Sequence, residues 1–121
     1  MKHRHSSRVL SRGRNQRRAL IKTLLGSLIM RERITTTEAK AKEIKNFIDQ
    51  VVNKAKVGRN DTARRVAMIR ELDGVLPEMA RKKLLGDFSA RFDGRTSGYT
   101  RVVKLDPRKS DSARMAIIEF V

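Results

Sequence analysis

No acidic residue precedes Glu32. Ahead of it stand Lys2, Arg4, Arg8, Arg12, Arg14, Arg17, Arg18, Lys22 and Arg31, with His3 and His5 among them. Unopposed charge of one sign repels itself and weakens a compact state, so folded surfaces normally intersperse both signs. A block like this is tolerable where a polyanion supplies the missing negative charge. The full chain repeats the imbalance, with 29 Lys+Arg against 13 Asp+Glu and a formal net charge of +16 on 121 residues. Phosphate-rich nucleic acid is the partner that this charge balance indicates.

Apart from Met1, residues 1–14 contain only two large apolar side chains, Val9 and Leu10, and end in Ser11-Arg12-Gly13-Arg14. Such a segment buries too little surface to offset its ordering entropy, so it is expected to be an arm that is disordered without RNA. Extended, about 13 residues span on the order of 45 Å, enough to thread between strands of a folded RNA. Residues 15–121 are expected to form a single α+β domain. The apolar content of 39% is enough for one core.

From about Asn15 the pattern is helical, with Leu20, Ile21, Leu24, Leu25, Leu28 and Ile29 on one face. Arg17, Arg18 and Lys22 lie near the positive end of that helix dipole, where a bound phosphate would offset the mismatch. Ile34-Thr35-Thr36 reads as a short strand. A second helix runs from a Thr37 cap, or from a competing Thr35…Glu38 capping box, to about Lys56, with Ala41, Ile44, Phe47, Ile48, Val51, Val52 and Ala55 inward, and Gly58 breaks it. A third spans about 62–72, with Val66, Ile69 and Leu72 inward. A fourth starts at Pro77, commits Met79, Ala80, Leu84 and Leu85 to the core, and stops at Gly86. Phe88 and Phe92 add a turn of core. Residues 99–105 and 113–121 read as two hairpin strands, although Arg101 and Glu119 interrupt either choice of inward face and leave the register open. The expected fold is two-layer α+β in the order helix–short strand–three helices–two strands, a small mixed sheet covered by helices, with an extended basic N-terminal arm.

The chain has no cysteine, and its two histidines both lie in the arm. Thiolate metal sites, cysteine nucleophiles and histidine triads are therefore excluded from the body. No glycine-rich phosphate loop is present, so no catalytic residue, cofactor, metal or small-molecule substrate is expected. No run reaches the roughly 20 apolar residues of a membrane span, and no secretory signal is evident, so a cytoplasmic, unprocessed protein is expected. The candidate RNA-binding residues are Lys2, His3, Arg4, Arg8, Arg12, Arg14, Arg17, Arg18 and Lys22. A second cluster comprises Arg95, Tyr99, Arg101, Arg108 and Lys109. Arginine forks phosphate and stacks on bases. Tyr99 has two readings, a base-stacking ring or a core tyrosine. Lys40, Lys42, Lys45, Arg64 and Arg65 read as solvated helix faces that RNA could also touch.

Several segments carry a family resemblance. They are Met1-Lys-His-Arg4, Leu10-Ser-Arg12, Ser27-Leu-Ile29, Arg33-Ile-Thr-Thr-Thr37, Lys40-Ala-Lys-Glu43, Gly98-Tyr-Thr-Arg101 and Ile117-Ile-Glu-Phe-Val121. In this order, from first residue to last, they resemble the bacterial large-subunit ribosomal protein seventeen family. The resemblance implies the helix–strand–three helices–two strands fold and a structural, non-enzymatic role in the large ribosomal subunit, supporting translation. It implies large-subunit ribosomal RNA near the nascent-chain exit side and neighbouring large-subunit ribosomal proteins as partners. The family pattern has a glycine pair where this chain has Ser97-Gly98, and a glycine where it has Ser110. Both differences bear on loop conformation. Two rival readings are weaker. A DNA-binding helix-turn-helix over 61–85 would have to free an apolar helix for the major groove, and an RNA-modifying enzyme would need a catalytic cluster.

Overall fold

The computed structural model describes residues 8–121. The elements are α1 (Arg14–Arg31), β1 (Arg33–Thr37), α2 (Glu38–Asn60), α3 (Arg65–Asp73), α4 (Glu78–Leu85), a 3-10 turn (Asp87–Phe92), β2 (Thr100–Lys104) and β3 (Met115–Phe120). This is the expected order. The longest helix, α2, organises the rest. Its stripe Ala41, Ile44, Ile48, Val51, Val52 and Ala55 recurs at three and four and is buried throughout. The helix passes the expected break because Gly58 is a buried packing position, with α3 lying across it at Met68.

The sheet order is β1-β3-β2, and both pairings are antiparallel. This corrects the expected mixed sheet. β1 and β2 run parallel to each other but are separated by β3, so no parallel ladder forms. Ile34, Ile118 and Val102 share one row on the helix-covered face, beside buried Ala116 and Phe120. Arg33, Glu119 and Arg101 share a row on the opposite face. The two charges that obscured the strand alternation therefore face the same way and pair with each other. Against the inner face, Phe88, Phe92, Tyr99 and Phe120 form a cluster with ring centroids 5.0–5.5 Å apart. The Phe88–Phe92, Phe88–Phe120 and Phe92–Tyr99 pairs meet edge-on, and such contacts add to simple area burial.

The short helices depart from expectation in phase. The Asp61 carboxylate accepts the Ala63 N–H at 3.0 Å, and this turn delays α3 to Arg65. Val66 then points outward, Ile69 is half-buried and only Leu72 is fully inward. On α4, Ala80 and Leu84 are buried, Leu85 is half-buried and Met79 is exposed rather than core. At the other end of α1, Glu32 takes a left-handed φ of +64° and donates its N–H to Leu28. Its carboxylate accepts from Arg91, and from Lys83 at 3.3 Å. The Arg91 hydrogen bond, with Lys83 behind it, holds that carboxyl below the usual range.

Pro77 precedes α4 and lays its ring on Gly26 of α1. A Cβ at Gly26 would stand 2.6 Å from Pro77 Cγ. Gly26→Ala gains about 1 kcal/mol of helix propensity but overpacks a rigid ring at a cost of about 1–3 kcal/mol. The net effect should be a loss of up to about 2 kcal/mol, read as a lower denaturation midpoint. A higher midpoint would mean that α4 moves away freely. Phe120→Ala, in the aromatic cluster, should cost about 3–5 kcal/mol by the same measurement.

Candidate nucleic-acid interface

Lys2, His3 and Arg4 lie outside the described residues. The described part of the arm is attached to the body by a carboxylate that sequence reasoning missed. Glu43 sits in the first turns of α2, next to core Ile44, and is 2% exposed. Its Oε2 accepts the Arg8 backbone N–H at 3.2 Å and Arg8 Nη1 at 3.3 Å, while Oε1 accepts Arg17 Nη2 at 2.7 Å. Arg17 Nε also donates to the Arg8 carbonyl at 2.5 Å. Phe47, one turn along α2, lies under the Arg17 guanidinium at 5.9 Å. Glu43 and Phe47 thus form a socket for Arg17. A buried carboxylate is costly unless charged donors surround it, and here two arginines do. The only advance signal was an acid directly beside the apolar stripe, in Lys40-Ala-Lys-Glu43.

Beyond this attachment the chain turns through Leu10 and Ser11, both at left-handed φ, and Arg12 Nη1 donates to the Leu10 carbonyl at 2.7 Å. Gly13 precedes α1 without a side-chain cap, and the first turn carries no acid. Arg14 and Arg18 are exposed and Lys22 is half-exposed. Among the described residues, none of these three has a carboxylate partner. Backbone N–H groups and unpaired cations therefore gather where anions are favoured.

The second predicted cluster is split by the structure. Arg101 Nε donates to Glu119 Oε1 at 2.8 Å, and Arg33 shares that carboxylate at 3.5 Å. Arg108 forks Asp111 at 3.0 and 2.7 Å across the hairpin turn. This hydrogen bond, with the Ala113 N–H, holds the Asp111 carboxyl down to about 2. Lys109 remains exposed, and Arg95 is exposed with Nη1 near the Gly98 carbonyl at 3.3 Å. Tyr99 is fully buried against Phe92, so its ring has no free face for a base. Of its two readings, the core tyrosine is the one observed. Its hydroxyl bonds Asn53 Oδ1, accepts from Lys56 Nζ at 3.1 Å and lies 3.1 Å from the Arg95 carbonyl. Asp49, four residues before Asn53, accepts the Gly98 and Tyr99 N–H groups at 3.3 Å each. One polar seam of α2 therefore holds the whole loop into β2. The left-handed residue of that loop is Gly98, at φ +67°, so Ser97 meets no backbone penalty. In the hairpin turn the left-handed residue is Ser112, not Ser110.

Among the described residues, no three His, Cys, Asp or Glu side chains gather as a metal site, and no helix is long and apolar enough to cross a membrane. A family model described as Ribosomal protein L17 matches residues 20–121. The chain belongs to the ribosomal protein L17 family. A relative from Aliarcobacter butzleri, named large ribosomal subunit protein bL17, is 39% identical over 121 residues and aligns over the full length of both chains. A protein of the same name from Enterococcus faecalis is 39% identical over 125 residues, covering 96% of this chain and 98% of its own. One from Acholeplasma laidlawii is 43% identical over 113 residues, covering 93% and 95%. The L17 family model begins inside α1, whereas the full-length alignment takes in the basic arm as well.

Glu43→Gln keeps the shape of the socket and removes its charge. Charged hydrogen bonds of this kind contribute about 1.5–3 kcal/mol, so the variant should lose stability on that order. Amide hydrogen exchange at Arg8 and Arg12 should accelerate more than at core positions of α2. Uniform acceleration, or none, would show that Glu43 does not hold the arm.

Proposed function

We propose that this chain is a non-enzymatic structural constituent of the bacterial large ribosomal subunit, binding and stabilising large-subunit ribosomal RNA in support of translation. The observation that carries this reading is the full-length similarity to proteins named for that subunit. The charge distribution supports it physically. The arm, residues 1–14, and the first turns of α1 offer phosphates an acid-free surface. Arg8 and Arg17, already engaged by Glu43, set where the arm enters the body. Arg14, Arg18 and Lys22, with Lys2, His3, Arg4 and Arg12, carry the phosphate contacts. Arg95 and Lys109 form a secondary contact, with Arg101 and Arg108 available where RNA displaces their carboxylates. Neighbouring large-subunit proteins complete the environment, in the cytoplasm.

Each phosphate contact contributes about 0.7–0.9 to the slope of log affinity against log salt. Changing Arg4, Arg12, Arg14 and Arg18 together to Gln leaves the Glu43 socket intact. The variant should flatten that slope for large-subunit ribosomal RNA by roughly 3 and lose most of its affinity at low salt, with an unchanged melting profile. The corresponding Lys variant should keep the slope and lose discrimination for the folded RNA site, since Lys lacks the planar fork. An unchanged slope in the Gln variant would move the main anchor elsewhere.

A further inference from the structure

Four of the five aromatic rings are committed to the cluster of Phe88, Phe92, Tyr99 and Phe120. The fifth, Phe47, is half-buried and lines a cleft of about 260 Å³ between α1, α2 and the turn joining α3 to α4. Ile21, Val51 and Val75 extend its apolar wall, and Gln50 adds a side-chain amide with both donor and acceptor. Four cations line it, Arg17, Arg18, Lys22 and Lys54, and no carboxylate does. Lys54 reaches out of the cleft to Glu71 at 3.4 Å, but with side chains 40% and 50% exposed this is a weak surface pair that a phosphate displaces. Arg17 is immobilised by Glu43 above the Phe47 ring.

An aromatic floor with apolar walls, an amide and a cationic rim is the chemistry that recognises an unstacked base with its phosphate. The volume lies just below the roughly 300–1,000 Å³ of pockets for drug-sized ligands, which suits one base and excludes a duplex. We propose that this cleft receives one unpaired nucleotide of the bound RNA, its base against Phe47 and Val75 and its phosphates on Arg18 and Lys22. The inference rests on the RNA-binding reading above and adds a shape-selective contact to a charge-driven one. A paired nucleotide keeps both base faces stacked within its helix and has none to offer Phe47. An acidic peptide satisfies the cations but offers the ring no π-face to stack on.

The test titrates the full isotope-labelled chain with a short single-stranded RNA, the same sequence as a duplex, and a polyglutamate peptide. The single strand should shift the amides of Ile21, Gln50 and Val75, and the other two should not. Phe47→Leu should weaken single-strand binding by about tenfold, the order of one lost base–aromatic stack, while leaving the salt slope unchanged. Phe47→Tyr should restore it. Equal single-strand affinity of the Leu variant and the unaltered chain would overturn the proposal, as would the same amide shifts from duplex or peptide. Should Phe47→Leu fail to fold, the amide shifts of the unaltered chain decide alone. Retained affinity for large-subunit ribosomal RNA without cleft shifts overturns only this inference. Absence of any affinity for that RNA overturns the functional reading itself.

Discussion

Glu43 is where the unopposed charge of the N-terminal segment meets the folded body. The first acid of the chain, Glu32, is engaged by Arg91 and Lys83 at the far end of α1, so it does nothing for the cations at the start of that helix. Glu43 answers two of them from α2, inside the protein, where its hydrogen bonds are strong and directional. The consequence is a division of labour among arginines of similar appearance. Arg8 and Arg17 become structural. Among the described residues, Arg14, Arg18 and Lys22 have no carboxylate partner, and an external anion would relieve their repulsion. One buried carboxylate thus ties the described part of the arm to the fold.

The same helix carries the rest of the architecture. One stripe of α2 packs on the sheet and on α1, while a neighbouring seam of Asp49, Asn53, Lys56 and Arg59 grips the 3-10 turn and the segment from it to β2. Tyr99 closes that seam from the sheet side. A protein built around one such helix needs few loop contacts to be rigid, which suits a scaffold that holds folded RNA in shape.

Much of this was legible in the sequence. The stripes of α1 and α2 recur over many turns, so a small error in phase does not hide them. α3 and α4 are short, and a start three residues late is enough to turn Val66 outward. Met79 shows the same sensitivity. The hairpin register was hidden because Val103 and Ile117 sit on the uncovered face beside Arg101 and Glu119, which makes both faces look half apolar. Composition counted the cations but not their partners. Arg8 and Arg17 meet Glu43 across 35 and 26 residues of chain, and Tyr99 meets Asn53 across 46. Such pairings exist only once the helices are docked. The candidate list therefore counted cations without their partners, and it included Tyr99, which is a core residue.

On the proposed function, the cations of the arm and α1 bind this chain to large-subunit ribosomal RNA as an integral component. Gradient sedimentation of ribosomes after a high-salt wash addresses it directly. The chain should stay with the large subunit through a wash that strips loosely bound basic proteins, because many phosphate contacts and a fixed arm root release together only when the RNA unfolds. Recovery of the chain in the wash, free of the large subunit, would contradict it.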